Sequence, residues 1–163
     1  MPEKETLRRA EQDKRRGKSP TTQAGEFVRE EIHHVREGKH GARSTKQAIA
    51  IGLSKARRAG VKLGPAPRSA KAKTRRSAAS ASRAGRRGRR KPARTRARAI
   101  SRALRREPRG TTSRRALARQ TRAAARRRGS TARKAAARKA VATKGARGRK
   151  VAARKAARTR KAG

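Results

Sequence analysis

Large apolar side chains cluster early in the chain. They recur at helical spacing between residues 27 and 53 and then thin out to isolated positions. Phe27, Val28, Ile32 and Val35 line one side of a helix predicted over residues 19 to 37, with Ser19 as N-cap, Pro20 at the first helical position and Gly38 as the stop. A second pattern runs through Ile49, Leu53 and Ala56. Ser44 and Gln47 form a capping box at its start, and Gly60 ends it. Joined by residues 38 to 43, the two helices should pack as a hairpin around Phe27, Ile32, Val35, Ile49 and Leu53, with Val61 closing the end. Ahead of them, Pro2 and the Glu5/Arg9 and Glu11/Arg15 pairs read as a short charged helix over residues 1 to 18 with little to bury.

Beyond residue 67 the pattern changes. Only Ile100, Leu104, Leu117, Val141 and Val151 are larger than alanine among the apolar residues. The stretch Gly64-Pro65-Ala66-Pro67 reads as a hinge, and residues 68 to 163 as a low-complexity tail of Arg, Ala, Lys, Gly, Ser and Thr. The expected fold is therefore all-α: a small N-terminal helical hairpin at 19 to 63, then a tail that is largely disordered when free yet helix-prone. Two tail segments, 97 to 106 before Pro108 and 114 to 128 between Ser113 and Gly129, are punctuated as helices that phosphate neutralisation would fold.

Charge sharpens this division. Sixteen cations against eight acids give the first 67 residues a net +8, and thirty-eight against the single acid Glu107 give the remaining 96 a net +37. Self-repulsion on that scale calls for a polyanionic partner. The expected partner is nucleic acid, held through phosphates by Arg75, Arg76, Arg86, Arg87, Arg89, Arg90, Lys91, Arg126, Arg127, Arg128, Arg133, Lys134, Arg138, Lys139, Arg147, Arg149, Lys150, Arg154 and Lys155. Guanidinium groups add bidentate phosphate geometry. The triplets Arg87-Gly88-Arg89 and Arg147-Gly148-Arg149 have the core of an AT-hook but lack the proline that normally follows.

Other chemistries find little support. Cysteine is absent, which removes disulfides, thiolate zinc sites and cysteine nucleophiles. His33, His34 and His40 lie near Glu30 and Glu31, but adjacent histidines point to different helix faces, so ordinary surface histidines are expected and no metal or other cofactor. The turn Gly38-Lys39-His40-Gly41 lacks the rest of a P-loop. With the acids expected on exposed helices, nothing would tune them for catalysis, and no enzyme is read here. Phe27, the one aromatic residue, is needed for the core, which disfavours stacking recognition of single strands.

The densely charged opening, with only Leu7 as a large apolar residue, excludes a secretory signal, and residues 48 to 53 are far too few to span a bilayer. A cytoplasmic, nucleoid-associated protein is expected, with no membrane partner, since no tail segment has the apolar face that interfacial helices need.

The run Gly25-Glu26-Phe27-Val28-Arg29-Glu30-Glu31, followed by residues 44 to 60 (Ser-Thr-Lys-Gln-Ala-Ile-Ala-Ile-Gly-Leu-Ser-Lys-Ala-Arg-Arg-Ala-Gly), resembles a small bacterial domain family of unknown function over roughly residues 1 to 66. The resemblance implies a bacterial origin and a short helical unit. In its Ala-Arg-Lys-Ala runs at 132 to 135, 137 to 140 and 153 to 156, the tail resembles the basic tails of bacterial histone-like and linker-histone-like proteins, although arginine outnumbers lysine 38 to 16 over the chain.

The expected function is sequence-nonspecific binding and compaction of double-stranded DNA, with the 19 to 63 hairpin docking a protein partner or a second copy. The alternative is an RNA-binding or ribosome-assembly factor using the same arginine-rich tail. A subordinate reading makes the second hairpin helix a major-groove reader through Lys46, Gln47, Lys55, Arg57 and Arg58.

Overall fold

The computed structural model describes residues 2–87 and 93–161, and among these every regular element is helical. The helices are α1 (Lys4–Arg15), α2 (Pro20–Arg36), α3 (Thr45–Arg58), α4 (Ala72–Arg86), α5 (Arg94–Arg105), α6 (Arg114–Arg127) and α7 (Gly129–Lys161), with a 3-10 turn at Gly110–Thr112. The chain divides into two compact units, Met1–Ala118 and Arg119–Gly163.

In the first unit the ends of α2 and α3 follow from their capping residues. Ser19 Oγ accepts from Thr22 N at 3.4 Å, and Ser44 Oγ from Gln47 N at 3.2 Å. Gln47 reciprocates one residue early, its Oε1 accepting from Arg43 N at 2.9 Å. Gly38 takes φ +76°, a left-handed conformation in which a Cβ is strained. There Lys39 N donates to His34 O and Gly38 N to Val35 O, a Schellman ending that turns the chain back toward α3.

Phe27 and Val35 are buried as the apolar pattern predicts, but the core is wider than a hairpin. Ala10 of α1 joins Ala24, Phe27 and Ala56, with Leu7, Leu53, Ala59, Val61 and Leu63 packed against them. A second cluster holds Val35, Ala42 and Ala48, while Ile32 and Ile49 are only half-buried. So α1 buries Thr6 and Ala10 against α2, contrary to the expectation that it has little to cover. Gly52 lets α3 approach α2 closely, since a Cβ there would press on the Val28 Cα and the Phe27 carbonyl.

The expected disordered tail is overturned, because α4, α5, α6 and α7 occupy most of it. Alanine and arginine are among the best helix formers, and breakers are sparse enough to leave runs of 12 residues or more between them. Nor is the first of these helices a free tail. Following the 64–67 stretch, α4 packs back on α3 with Ala81 buried, and Gly85 sits against the Arg57 carbonyl where a Cβ would not fit.

Residues 104–112 are also tied down. Gly41 N donates to Leu104 O at 2.8 Å, Ala42 N to Pro108 O at 3.0 Å and Thr45 Oγ1 to Thr111 O at 2.6 Å. Arg36 Nε reaches Thr112 O at 3.0 Å, and Thr112 is buried.

In the second unit α7 is interrupted at Gly145, whose φ 60° and ψ −179° lie outside helical values. It is in effect two straight rods of about 24 Å each at 1.5 Å per residue.

Candidate nucleic-acid interface

Every acid of the first 67 residues has a basic side chain within 4.0 Å, although this stretch keeps a net +8. Glu31 on α2 is fully buried and Glu30 nearly so, against the expectation that the acids lie on exposed faces. Lys55 reaches across from α3, its Nζ 3.1 Å from Glu30 Oε1 and 2.7 Å from Glu31 Oε2. Glu3 N donates to the other oxygen of Glu30 at 3.1 Å. Burial pushes the Glu30 carboxyl up, but the nearby Thr6 hydroxyl, the Glu3 N–H and Lys55 outweigh it and hold Glu30 below the ordinary carboxylate range. Lys55 is likewise pulled down by burial and raised more strongly by Glu31 and Glu30.

This network uses side chains that a groove-reading α3 would need. Lys55 is committed to the two glutamates, and Gln47 to its cap. Arg57 donates to Leu63 O at 3.1 Å, Gly64 O at 2.7 Å and Ser82 Oγ at 3.1 Å. Of the five residues suggested for major-groove contact, only Lys46 and Arg58 stay exposed.

The tail cations are placed differently. Arg75, Arg76 and Arg86 lie on α4 and Arg87 caps it, all exposed. Arg126 and Arg127 end α6, Arg128 lies between α6 and α7, and Arg133, Lys134, Arg138, Lys139, Arg147, Arg149, Lys150, Arg154 and Lys155 are on α7, every one exposed. Arg89, Arg90 and Lys91 lie outside the described residues, as does the end of the first Arg-Gly-Arg triplet. Glu107, the one tail acid, sits 4.0 Å from Arg43. With no second acid after residue 67, the tail helices carry their charge without internal neutralisation.

Two further arginines belong with this set. Arg119, Arg122, Arg126 and Arg127 line a shallow cleft along α6 together with Ala123. Their spacing of three, four and one residues is the signal that would have found them, because it stacks cations along one helix face. On α7 the cations follow no single face. At about 100° per residue, Arg133, Lys134, Arg138 and Lys139 spread over roughly 240° of the rod. The second Arg-Gly-Arg triplet is helical, with Arg149 Nε donating to Gly145 O at 3.2 Å, so its arginines do not lie along one extended line as an AT-hook requires.

Among the described residues, no helix is long and apolar enough to cross a membrane. Residues 11–68 match a family of unknown function, DUF6496. The match covers α2, α3 and the last five residues of α1, a part of the chain whose acids are paired with bases, and stops before α4. No curated protein and no solved structure matches the chain.

Proposed function

We propose that this protein binds double-stranded DNA without reading its sequence and compacts it, as a histone-like, nucleoid-associated protein. The observation that carries this reading is the row of exposed, helical cations after residue 67, where thirty-eight Lys and Arg stand against one acid. At one negative charge per 1.7 Å of duplex, that many cations match the phosphates of about 19 base pairs. An α-helix is about 10–12 Å across and the major groove about 12 Å wide, with phosphates along both walls. A rod with cations on all sides, such as α7, meets both walls at once. The DUF6496-like part, its acids paired internally, is left to dock a protein partner or a second copy.

The test is a gel-shift series with unrelated duplexes from 50 to 200 mM salt. Similar affinities for all of them, falling about 10³- to 10⁵-fold over that range if 6–10 phosphates are engaged, support the reading. Strong preference for one sequence, or indifference to salt, overturns it. Crosslinking in cells followed by sequencing separates DNA from RNA, and recovery of RNA alone transfers the same phosphate chemistry to an RNA-binding or ribosome-assembly role.

A further inference from the structure

The α2–α3 connection brings together three side chains that helical spacing alone does not. Glu31 and His34 share a face of α2, and the Schellman turn at Gly38 carries His40 back over them. The three offer ligand atoms that all lie within 4.8 Å of one another. The rings of His34 and His40 meet edge-on at 6.0 Å. Among the described residues, no other helix supplies a matching ligand to the Glu-His pair of α2; the third one comes from the loop.

Hydrogen bonding orients both rings. His40 Nδ1 lies 3.0 Å from the Gly41 carbonyl, which can only accept, so Nδ1 carries the hydrogen. In the neutral ring the remaining nitrogen, Nε2, then turns its lone pair on Glu31 Oε1 at 3.2 Å. His34 Nε2 lies 2.8 Å from Glu3 Oε1 and donates to that carboxylate, which leaves Nδ1 as its lone-pair atom. A backbone carbonyl behind one ring and a carboxylate behind the other are the supports that metal-bound histidines use. Glu31 completes the pattern. Both of its oxygens are buried without a hydrogen-bond partner, although Lys55 balances Oε2 as a charge at 2.7 Å. A lone pair facing a buried carboxylate is repulsive, and a cation between them, whether a proton or a metal ion, removes the repulsion.

We propose that Glu31, His34 and His40 bind a single Zn²⁺ ion. Two imidazoles and one carboxylate suit this borderline-soft cation, whose tetrahedral sites often keep the fourth position for water. Bonds of about 2.0–2.2 Å require the three ligand atoms to draw in by about 1 Å. His34 lines a polar cleft between α1 and α2 with Glu3, Arg9, Glu30 and Lys39, which gives the ion a route in. Bound there, zinc pins the loop that also holds residues 104–112.

The test titrates metal-stripped, full-length protein with ZnCl₂ against a chromophoric chelator. One ion per chain is expected, with affinity lowered at least about tenfold in His34→Ala and in His40→Ala. His33→Ala should leave binding unchanged, because His33 is exposed and faces Glu37 at 3.9 Å. Histidine NMR signals of the unsubstituted protein give a readout that does not depend on a variant folding: zinc should shift His34 and His40 and spare His33. Absence of binding, loss in His33→Ala equal to that in the other two, or shifts confined to His33 would overturn the site.

Discussion

Lys55 Nζ lies 2.7 Å from Glu31 Oε2, joining α3 to the one carboxylate on α2 that is wholly withdrawn from water. Removing the cation alone strands two buried negative charges. Lys55→Met should therefore destabilise the first unit by about 3–5 kcal/mol, the usual cost of breaking a buried pair from one side. Urea denaturation followed by circular dichroism reads it. A loss under about 1 kcal/mol would mean that the glutamates find water or protons instead.

The same network sets a pH window. Glu30 is held below its ordinary value of 4.5, so the stability it contributes is complete above that value and fades as pH falls through the lower folded one. Lys55 is raised above 10.5, so its contribution is complete below 10.5 and fades as pH climbs through the higher folded value. Melting temperature should hold a plateau between these limits and drop on both sides, and the acid-side drop should be shallower in Glu30→Gln.

Two glycines inside helices should answer alanine with opposite signs. Gly25 on α2 has open space where a Cβ would go, so Gly25→Ala should stabilise by about 0.5–1 kcal/mol through helix propensity. At Gly52 the Cβ would press on the backbone of Val28 and Phe27, and overpacking of about 1–3 kcal/mol should outweigh the same gain. Thermal melts of the two variants, run side by side, compare them directly.

The arginine cleft on α6 predicts a distinctive DNA signature. Replacing Arg119, Arg122, Arg126 and Arg127 by glutamine should weaken binding equally for unrelated duplexes. The slope of log affinity against log salt should flatten by about 0.9 for each phosphate that is no longer neutralised. An unchanged slope would mean that other cations of the chain hold the duplex.

Much of the fold was legible because local chemistry sets it. Ser19 and Ser44 cap the helices they precede, Gly38 ends α2, and the apolar rhythm found Phe27, Val35 and Leu53. Glu30 and Glu31 escaped because a glutamate on a helix reads as solvent-facing, and the lysine that compensates for them comes 25 residues after Glu30. His40 escaped for a similar reason: its place beside Glu31 depends on where a loop turns. In the tail, composition suggested disorder while propensity favoured helix. Propensity won, and on α4 it was helped by Gly85, whose bare Cα admits the Arg57 carbonyl.

The clasp between residues 41–45 and 104–112 makes the intervening chain a ring closed by hydrogen bonds instead of a peptide bond. A protease that nicked the exposed residues 67–69 would open that ring without unlocking it. The downstream piece would stay moored by its backbone at Leu104 and Pro108 and by α4 on α3, so its cations would travel with α1, α2 and α3 even after the covalent connection was gone.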